Sequence, residues 1–365
     1  MNRRDFLTMG TCAAVLPTLG APAAERDAGK LPGWAEARID AAVARYLQWK
    51  GGDETVAFTF MTDTHSYVER IADPPDFGNS RYHALFAMAA ADRAGCDFLV
   101  EGGDHDYDHG NPSREVIQRR MDVVRGLYEG YAARPVLFCL GNHDHGPFAD
   151  DRSLPRPVSS RLFGETFNGL AVRHGHKLVF GDNPSWGYYD IPAKKFRAVF
   201  CNTSDEGYYG FSQAQVEFVE RTLDTLPAGW TVALFGHYCV FNEIGHWKQS
   251  TGVGAKRKAE FMGVLEGFAQ RRPNTLAGYF CGDSHFDNEM DWRGVCWTIS
   301  QGYGGIGRGD KPWGARTIAF DRSRDMLFEL VAVKPSIGEF KVFRVGAGDA
   351  AFDRLCVYFN RLPHV

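Results

Sequence analysis

The sequence predicts an α/β fold that ends in a β-rich C-terminal segment. Short apolar runs typical of strands alternate with amphipathic segments typical of helices at intervals of about 40 residues, as they do in βαβ units. Beyond residue 295 the strand-like runs follow one another without intervening helices. The chain has 365 residues, which is enough for one large α/β domain or two smaller ones.

The composition is that of a soluble globular protein, with 44% hydrophobic and 24% charged residues. The formal net charge of -4 indicates no strongly basic surface for nucleic acid or anionic membranes. No apolar run is long enough to form a transmembrane segment. The eight cysteines show no C-x-x-C spacing, which argues against a zinc ribbon or redox motif and predicts small buried side chains.

Residues 1–24 carry the features of an export signal. The R-R-D-F-L motif at residues 3–7 resembles a twin-arginine signal, and a short apolar run and a small-residue cleavage site at 21–24 follow it. We therefore expect the bacterial twin-arginine (Tat) machinery to export the chain to the periplasm or to secrete it. The alternative is an amphipathic N-terminal helix that is not cleaved.

The remaining elements follow from apolar spacing. Residues 25–54 form an N-terminal helix and linker, because Ile39, Val43 and Tyr46 recur at helical intervals within residues 34–49. Strands are predicted at 56–61, 98–100, 135–139, 197–201, 231–235 and 276–280, and helices at 80–95, 111–131 and 256–270. Another helix begins after Ser212, which forms a predicted capping box with Gln215. Further strands are predicted at 297–299, 315–320, 326–333 and 340–344.

The segment 147–185 differs from its surroundings. It is rich in Pro, Arg, Gly and Asn and has weak periodicity, which predicts a long insertion with little regular structure. Long loops in compact domains are often functional, so we expect this segment and neighbouring loops to govern substrate specificity.

Residues that can bind metal follow five of the predicted strands. In chain order they are Asp63 and His65; Asp104; Asn142, His143 and Asp144; His237; and Asp283 and His285. Because ligands bind outside the carboxyl ends of strands in open α/β sheets, these side chains should converge on one site. Oxygen and imidazole ligands suit Mn, Fe, Zn or Mg ions.

The order of the motifs, D-x-H, G-G-D, G-N-H-D, G-H and G-x-x-H, resembles the calcineurin-like metallophosphoesterases over residues 56–333. The resemblance implies a two-sheet α/β sandwich flanked by helices, with a metallophosphoesterase domain at 55–335 and a C-terminal strand extension of the same domain at 336–365. It also implies a hydrolase of small-molecule phosphate monoesters or diesters that uses a hydroxide bridging two divalent or trivalent metal ions.

The resemblance further implies a role for each motif residue. Asp63, His65 and His285 would hold the first metal, Asp104 would bridge both, and Asn142 and His237 would hold the second. His143 would donate a proton to the leaving group or stabilise phosphoryl charge, and Asp144 would orient it. His105, His145 and Tyr238 adjoin these residues and are candidate substrate contacts, although a polar loop is the alternative for His105.

Asp283 departs from the family pattern, which usually has G-H-x-H at the last motif. Aspartate is a harder, charged ligand, so we expect a second site that favours Mn, Fe or Mg over Zn. A weak or vacant second site is the competing interpretation. The alternative function is a catalytically degenerate protein that binds phosphate-containing ligands on the same fold.

Overall fold

The computed structural model describes residues 31–64, 81–105, 113–145, 158–205, 209–240, 256–283, 288–292, 295–300, 327–346 and 348–358. The predicted signal at 1–24 and the predicted strand at 315–320 lie outside these residues.

The described helices and strands alternate through most of the chain. In order they are α1 Gly33–Lys50, β1 Val56–Met61, α2 Arg81–Ala94, β2 Phe98–Glu101, α3 Arg114–Glu129, β3 Val136–Phe138, α4 Ser160–Thr166, α5 Asn168–Arg173, β4 Leu178–Phe180, β5 Gly187–Ile191, β6 Phe196–Phe200, α6 Gln213–Asp224, β7 Thr231–Phe235, α7 Lys258–Arg271, β8 Leu276–Cys281, β9 Asn288–Trp292, β10 Cys296–Ser300, β11 Leu327–Lys334, β12 Glu339–Gly346 and β13 Arg354–Val357.

Within the described residues, the strands form two mixed sheets. The first has the order β13-β12-β11-β1-β2-β3, and the second has the order β4-β5-β6-β7-β8-β10-β9. Strands β1, β2 and β3 are parallel to one another, as are β6, β7, β8 and β10. The carboxyl ends of each parallel set therefore share one edge of their sheet, and the predicted α/β fold is confirmed.

The two sheets pack face to face through an aromatic layer. Phe58 of β1 stacks on Phe98 of β2 at 4.8 Å between ring centroids and meets Phe235 of β7 edge-on at 5.2 Å. Alternate residues of β1, such as Ala57 and Met61, belong instead to a second apolar cluster that includes α1 and α2. Strands buried on both faces explain the continuous apolar runs of the sequence.

The C-terminal strands belong to the first sheet. Strand β11 pairs antiparallel with β1, and β12 and β13 extend the sheet from there. The hairpin between β11 and β12 crosses the expected boundary between residues 335 and 336. The predicted β-rich C-terminal segment is therefore an integral part of the sandwich.

The prediction of little regular structure across 147–185 is wrong for its second half, where α4, α5 and β4 lie. Both helices are too short to be stable alone, so tertiary contacts maintain them. Asn168 of α5 accepts a hydrogen bond from the backbone N–H of Phe138 (2.8 Å) and donates one to its carbonyl (3.1 Å). The side chain thus pairs with the edge strand β3, which the local sequence pattern does not reveal.

One of the two hydrogen bonds of the predicted capping box at the start of α6 is present. The Ser212 side chain accepts a hydrogen bond from the backbone N–H of Gln215 at 3.2 Å. The Gln215 side chain bonds the backbone of Asn202, accepting from its N–H (2.7 Å) and donating to its carbonyl (2.8 Å). It therefore ties α6 to the loop after β6.

Two predictions made from the composition can be compared with the structure. The free cysteines of the described part are buried, as expected for small apolar side chains: Cys96, Cys139, Cys201, Cys239, Cys281 and Cys356. Among the described residues, no helix combines the length and apolarity needed to cross a membrane.

Candidate metal centre

Loops from both sheets meet where the parallel strands end. The backbone N–H of Asp63, after β1, donates to the carbonyl of Gly103, after β2, at 2.9 Å. The backbone N–H of Gly282, after β8, donates to the carbonyl of His237, after β7, at 2.8 Å. The His237 ring then contacts the carbonyl of Gly102, which joins the two sheets at this edge.

Three aspartates at this edge hold a left-handed backbone conformation. The φ angles are 54° for Asp63, 54° for Asp104 and 63° for Asp283. Such angles are uncommon outside glycine and cost on the order of 1–3 kcal/mol each. Backbone strain of this kind clusters at functional sites, and here it recurs at three carboxylates from three different strands.

The ring of His237 is fully buried and oriented by its own hydrogen bond. Its Nδ1 lies 2.9 Å from the carbonyl oxygen of Gly102, which accepts, so Nδ1 carries a proton. Nε2 then faces Asp104 Oδ2 at 3.2 Å, Asn142 Oδ1 at 3.1 Å and Asp283 Oδ1 at 3.7 Å. Three oxygens from three other loops therefore lie within 3.1–3.7 Å of this nitrogen.

The electrostatics next to His237 Nε2 favour a bound cation. Burial opposes protonation of His237, but the carboxylates of Asp104, Asp63 and Asp283 outweigh it and raise the pKa of the imidazole well above its usual value. Burial also raises the pKa of Asp283, the His237 ring lowers it, and the carboxylates of Asp104 and Asp63 raise it further. A metal ion at this point would displace the protons that these groups otherwise hold.

A buried orphan atom supports the same conclusion. The Asp283 side chain is 7% exposed, and its Oδ2 has no hydrogen-bond partner within the described part of the chain. Buried carboxylate oxygens are normally paired, so this oxygen has the environment of a metal ligand. Ligand atoms of Asp63, Asp104 and His237 also lie within 4.8 Å of one another, close enough to share a metal ion. The residues present thus fit a metal centre.

Asp144 joins two of the loops through their backbones. Its Oδ2 accepts hydrogen bonds from the N–H of Asp104 (2.9 Å) and Gly141 (2.8 Å), and its Oδ1 accepts one from the N–H of His105 (3.0 Å). A Cβ atom at Gly141 would lie 2.1 Å from Asp104 Oδ1, so only glycine fits there. The resemblance implied that Asp144 orients His143; these bonds give it a further structural task.

His143 is the most exposed of the site side chains described here. Its backbone N–H donates to Asp104 Oδ1 at 2.8 Å, and its ring Nε2 lies 3.8 Å from Asp104 Oδ2. The side chain is 13% exposed, whereas that of Asp104 is 2% exposed. The imidazole therefore lies beside the candidate metal centre and can be reached from solvent.

Two residues that the sequence predicts as substrate contacts, His105 and Tyr238, have buried side chains. The His105 side chain is 2% exposed, and its ring packs against Phe167 (4.7 Å) and Phe163 (5.2 Å). Tyr238 is also 2% exposed and meets Tyr209 edge-on at 4.0 Å. The ring of Tyr238 also lies 5.4 Å from the ring of His237, and His105 Nδ1 lies 3.3 Å from Asp144 Oδ1. Substrate contact for both residues stays a prediction.

The remaining predicted site residues cannot be placed in this way. His65 and His285 lie outside the described residues, as does the side chain of His145. One contact was missed in the sequence: Thr62 Oγ1 donates to Asp63 Oδ2 at 2.8 Å. Its position directly before Asp63 was the signal that could have indicated it.

The fold and the site are those of a metallophosphoesterase, a hydrolase of phosphate esters. The family model described as calcineurin-like phosphoesterase matches residues 56–287, and the chain belongs to this family. The family usually holds a dinuclear metal centre, and Asp63, Asp104 and His237 form the candidate cluster for it.

Solved structures share the fold at low sequence identity. A dimetal phosphatase from Danio rerio is 14% identical with a TM-score of 0.57, over 83% of this chain and 99% of that one. A purple acid phosphatase from yellow lupin (Lupinus luteus) is 13% identical with a TM-score of 0.52, over 86% of this chain and 55% of that one. No curated protein matches the sequence.

Proposed function

We propose that the chain hydrolyses small-molecule phosphate monoesters or diesters at a centre of two metal ions. Asp63, His65 and His285 would hold the first ion, Asp104 would bridge both, and Asn142, His237 and Asp283 would hold the second. One observation carries this proposal: the oxygens of Asp104, Asn142 and Asp283 all lie within 3.1–3.7 Å of His237 Nε2. The proposed catalytic domain spans 55–335, with 336–365 as its proposed C-terminal strand extension.

Metal ions held there would neutralise phosphate charge and lower the pKa of a water molecule, which supplies a nucleophile near neutral pH. The second site offers three oxygens and one nitrogen, a set that suits Mn, Fe or Mg better than Zn. Aspartate at position 283 adds a third carboxylate to Asp63 and Asp104. Two dications and three carboxylates would leave a net charge of about +1, and a bound hydroxide would reduce it to about 0, so phosphate binding would depend on direct coordination to the metal ions.

The protein groups around this centre have separate tasks. The partly exposed imidazole of His143 would donate a proton to the leaving oxygen as a general acid. Asp144 keeps the loop of Asp104 and the loop of Asn142 at a fixed distance, because its carboxylate bonds the backbone of both. The position of Asn142 depends on this support, because its side chain contacts His237, which follows a strand of the other sheet.

A turnover screen that detects the released aryl alcohol tests the proposal on both ester classes. Purified protein is stripped of metal, reloaded with Mn²⁺, Fe²⁺, Zn²⁺ or Mg²⁺, and given aryl phosphate monoesters and diesters. We expect turnover of at least one ester class that requires added metal and is lost in Asp104→Ala. Metal binding without turnover of either class would favour a protein that only binds phosphate ligands.

We also propose that the chain is exported through the Tat machinery to the periplasm or the medium. The support is the R-R-D-F-L motif at 3–7 with the small-residue site at 21–24. In a bacterial host with the Tat system, replacing both arginines by lysine should retain the protein in the cytoplasm at full length. Export of the double variant at the wild-type level would contradict the proposal.

A further inference from the structure

The loop that carries His237 spans residues 236–238 and is called the His237 loop. It follows β7, and the strands on either side of β7 are β6 and β8. The loop after β6 and the strand β8 each supply one buried hydroxyl group to the backbone of Tyr238. The backbone N–H of Tyr238 donates to Thr203 Oγ1 at 3.1 Å, and its carbonyl accepts from the Tyr279 hydroxyl at 2.7 Å.

Both hydroxyl groups lie in a region without solvent access. Thr203 is 1% exposed and Tyr279 is 0% exposed. A buried hydrogen bond that loses one partner leaves the other group unsatisfied, so each contact restrains the backbone strongly. Gly236 shows how closely the two side chains fit the loop, because a Cβ atom there would lie 2.3 Å from the Tyr279 hydroxyl and 3.0 Å from Thr203 Cγ2.

The restrained backbone is the one that aims the imidazole. The N–H that bonds Thr203 belongs to the peptide group leaving His237, so its orientation fixes the direction of the His237 side chain. That side chain must keep Nδ1 within 2.9 Å of the Gly102 carbonyl and Nε2 beside Asn142 Oδ1. A small rotation of the peptide would break both contacts at once.

We propose that Thr203 and Tyr279 are positioning residues for the second metal site, which act by fixing the backbone of Tyr238 and thereby the ring of His237. This inference rests on the proposed function, since it assigns no ligand that the proposed centre does not already have. It gives Tyr238 a role through its backbone, whereas its side chain was expected to contact substrate. The first metal site does not depend on these hydroxyl groups, so the two sites should respond differently to their loss.

The test compares Thr203→Val and Tyr279→Phe with matched controls at the other end of the sandwich. Thr231, the first residue of β7, and Tyr358 form another buried threonine–tyrosine pair, with 3.4 Å between their hydroxyl oxygens. Thr231→Val and Tyr358→Phe therefore remove the same atoms from buried positions at the other end of β7, without touching the His237 loop. Thr203→Ser keeps the accepting oxygen and serves as the conservative variant.

Metal-stripped proteins are titrated with Mn²⁺ by calorimetry, and their thermal melting is recorded without metal. We expect the wild type to bind two Mn²⁺ ions. Thr203→Val and Tyr279→Phe should weaken one of them by about tenfold or more, the usual effect of losing an outer partner of a metal ligand. Thr203→Ser and both controls should bind like the wild type, although the controls melt as low as the test variants.

Two results would overturn the inference, and they can be told apart. If both test variants bind two Mn²⁺ ions as tightly as the controls do, the positioning role is wrong while the proposed function stands. If the wild type itself binds no Mn²⁺ and hydrolyses no phosphate ester with any metal, the proposed function fails and the positioning role fails with it.

Discussion

The backbone N–H of Asp283 donates to both carboxylate oxygens of Asp63, at 3.1 Å to Oδ1 and 3.0 Å to Oδ2. Asp63 follows β1 of one sheet and Asp283 follows β8 of the other, so this contact joins the sheets at the candidate metal centre. Thr62 donates to the same Asp63 carboxylate. The position of a proposed first-site ligand is therefore set by the backbone of a proposed second-site ligand, and changes at either residue should affect both ions.

Replacing Asp283 by histidine should change the metal preference of the second site. Histidine tolerates the left-handed backbone at this position better than most residues, and it replaces a hard oxygen donor by a nitrogen donor. We expect the ratio of Zn²⁺ to Mn²⁺ affinity to rise roughly tenfold, or about 1.4 kcal/mol. Competitive titration against a chelator measures both affinities.

The control for that experiment is Asp291→His, because Asp291 is an exposed aspartate on β9 of the same sheet. It should leave both affinities unchanged. An unaltered Zn²⁺ to Mn²⁺ ratio in Asp283→His would show that Asp283 is not a ligand of the second ion.

Replacing His143 by alanine should reduce kcat by about 100- to 10,000-fold, the range for loss of a general acid. Metal content should stay at the wild-type value, because the contact of His143 with Asp104 through the backbone N–H is retained. Steady-state kinetics on a phosphate ester and elemental analysis of the same sample measure the two quantities. His174→Ala removes an exposed imidazole whose Nε2 lies 3.0 Å from the carbonyl oxygen of Glu129, away from the centre, and is the control. Wild-type kcat in His143→Ala would exclude the proton-donor role.

Replacing Asp144 by asparagine should loosen the loops of Asp104 and Asn142. The carboxylate accepts three backbone N–H groups with two oxygens, whereas asparagine directs an amide N–H₂ at one of these donors. We expect the free energy of unfolding to fall by about 2 kcal/mol, together with weaker metal binding. Urea unfolding of the metal-free protein and a Mn²⁺ titration measure these effects.

The matched control for Asp144→Asn is Asp353→Asn. The Asp353 carboxylate accepts a backbone N–H of Arg344 at 3.0 Å and binds Arg45 at 2.9 Å, away from the metal loops. It should lose stability without losing Mn²⁺ affinity. Equal metal affinity in both variants would contradict the role of Asp144 in holding the loops.

Replacing Glu101 by glutamine should change how stability depends on pH. Burial raises the pKa of Glu101 well above its usual value, the hydrogen bond from the Tyr128 hydroxyl lowers it, and the carboxylates of Asp144 and Asp63 raise it further. Between the unfolded pKa, about 4.3, and the raised folded pKa, the folded protein keeps a proton that the unfolded chain releases. Stability from this group therefore falls as pH rises through that window.

Glutamine does not titrate, so the melting temperature of Glu101→Gln relative to wild type should increase steadily from pH 4 to pH 8. Thermal melting of the metal-free proteins across this range measures the difference. Glu220→Gln removes an exposed carboxylate of α6 and controls for the change in net charge. A difference between Glu101→Gln and wild type that does not vary with pH would show that Glu101 is not protonated in the folded protein.

The sequence predicted the strands and the convergence of their polar ends, because both follow from local patterns. A strand buried on both faces, such as β1, has a continuous apolar sequence. The residue that follows such a strand lies at the edge of the sheet where ligands bind. Asp63, Asp104 and His237 were found in this way and lie together in the structure. Their separation in the chain was no obstacle, since parallel strands bring their carboxyl ends to one edge.

The structural features that the sequence did not reveal depend on contacts between residues that are distant in the chain. The short helix α5 exists because Asn168 pairs with the edge of β3, and no local periodicity records that contact. The burial of His105 among phenylalanine rings also depends on α4, which lies more than 50 residues away in the chain. Adjacency to a metal ligand suggested substrate contact for His105, but local sequence does not show that its side chain is buried.

The metal content of active protein tests the central claim most directly. Protein purified from a host supplied with manganese and iron is analysed for metal per chain, and hydrolysis of phosphate esters is measured on the same sample before and after removal of the metal. The proposed centre predicts two ions per folded chain, with turnover that is lost on removal and restored by adding metal. Full turnover with one ion per chain, or turnover that survives complete metal removal, would contradict it.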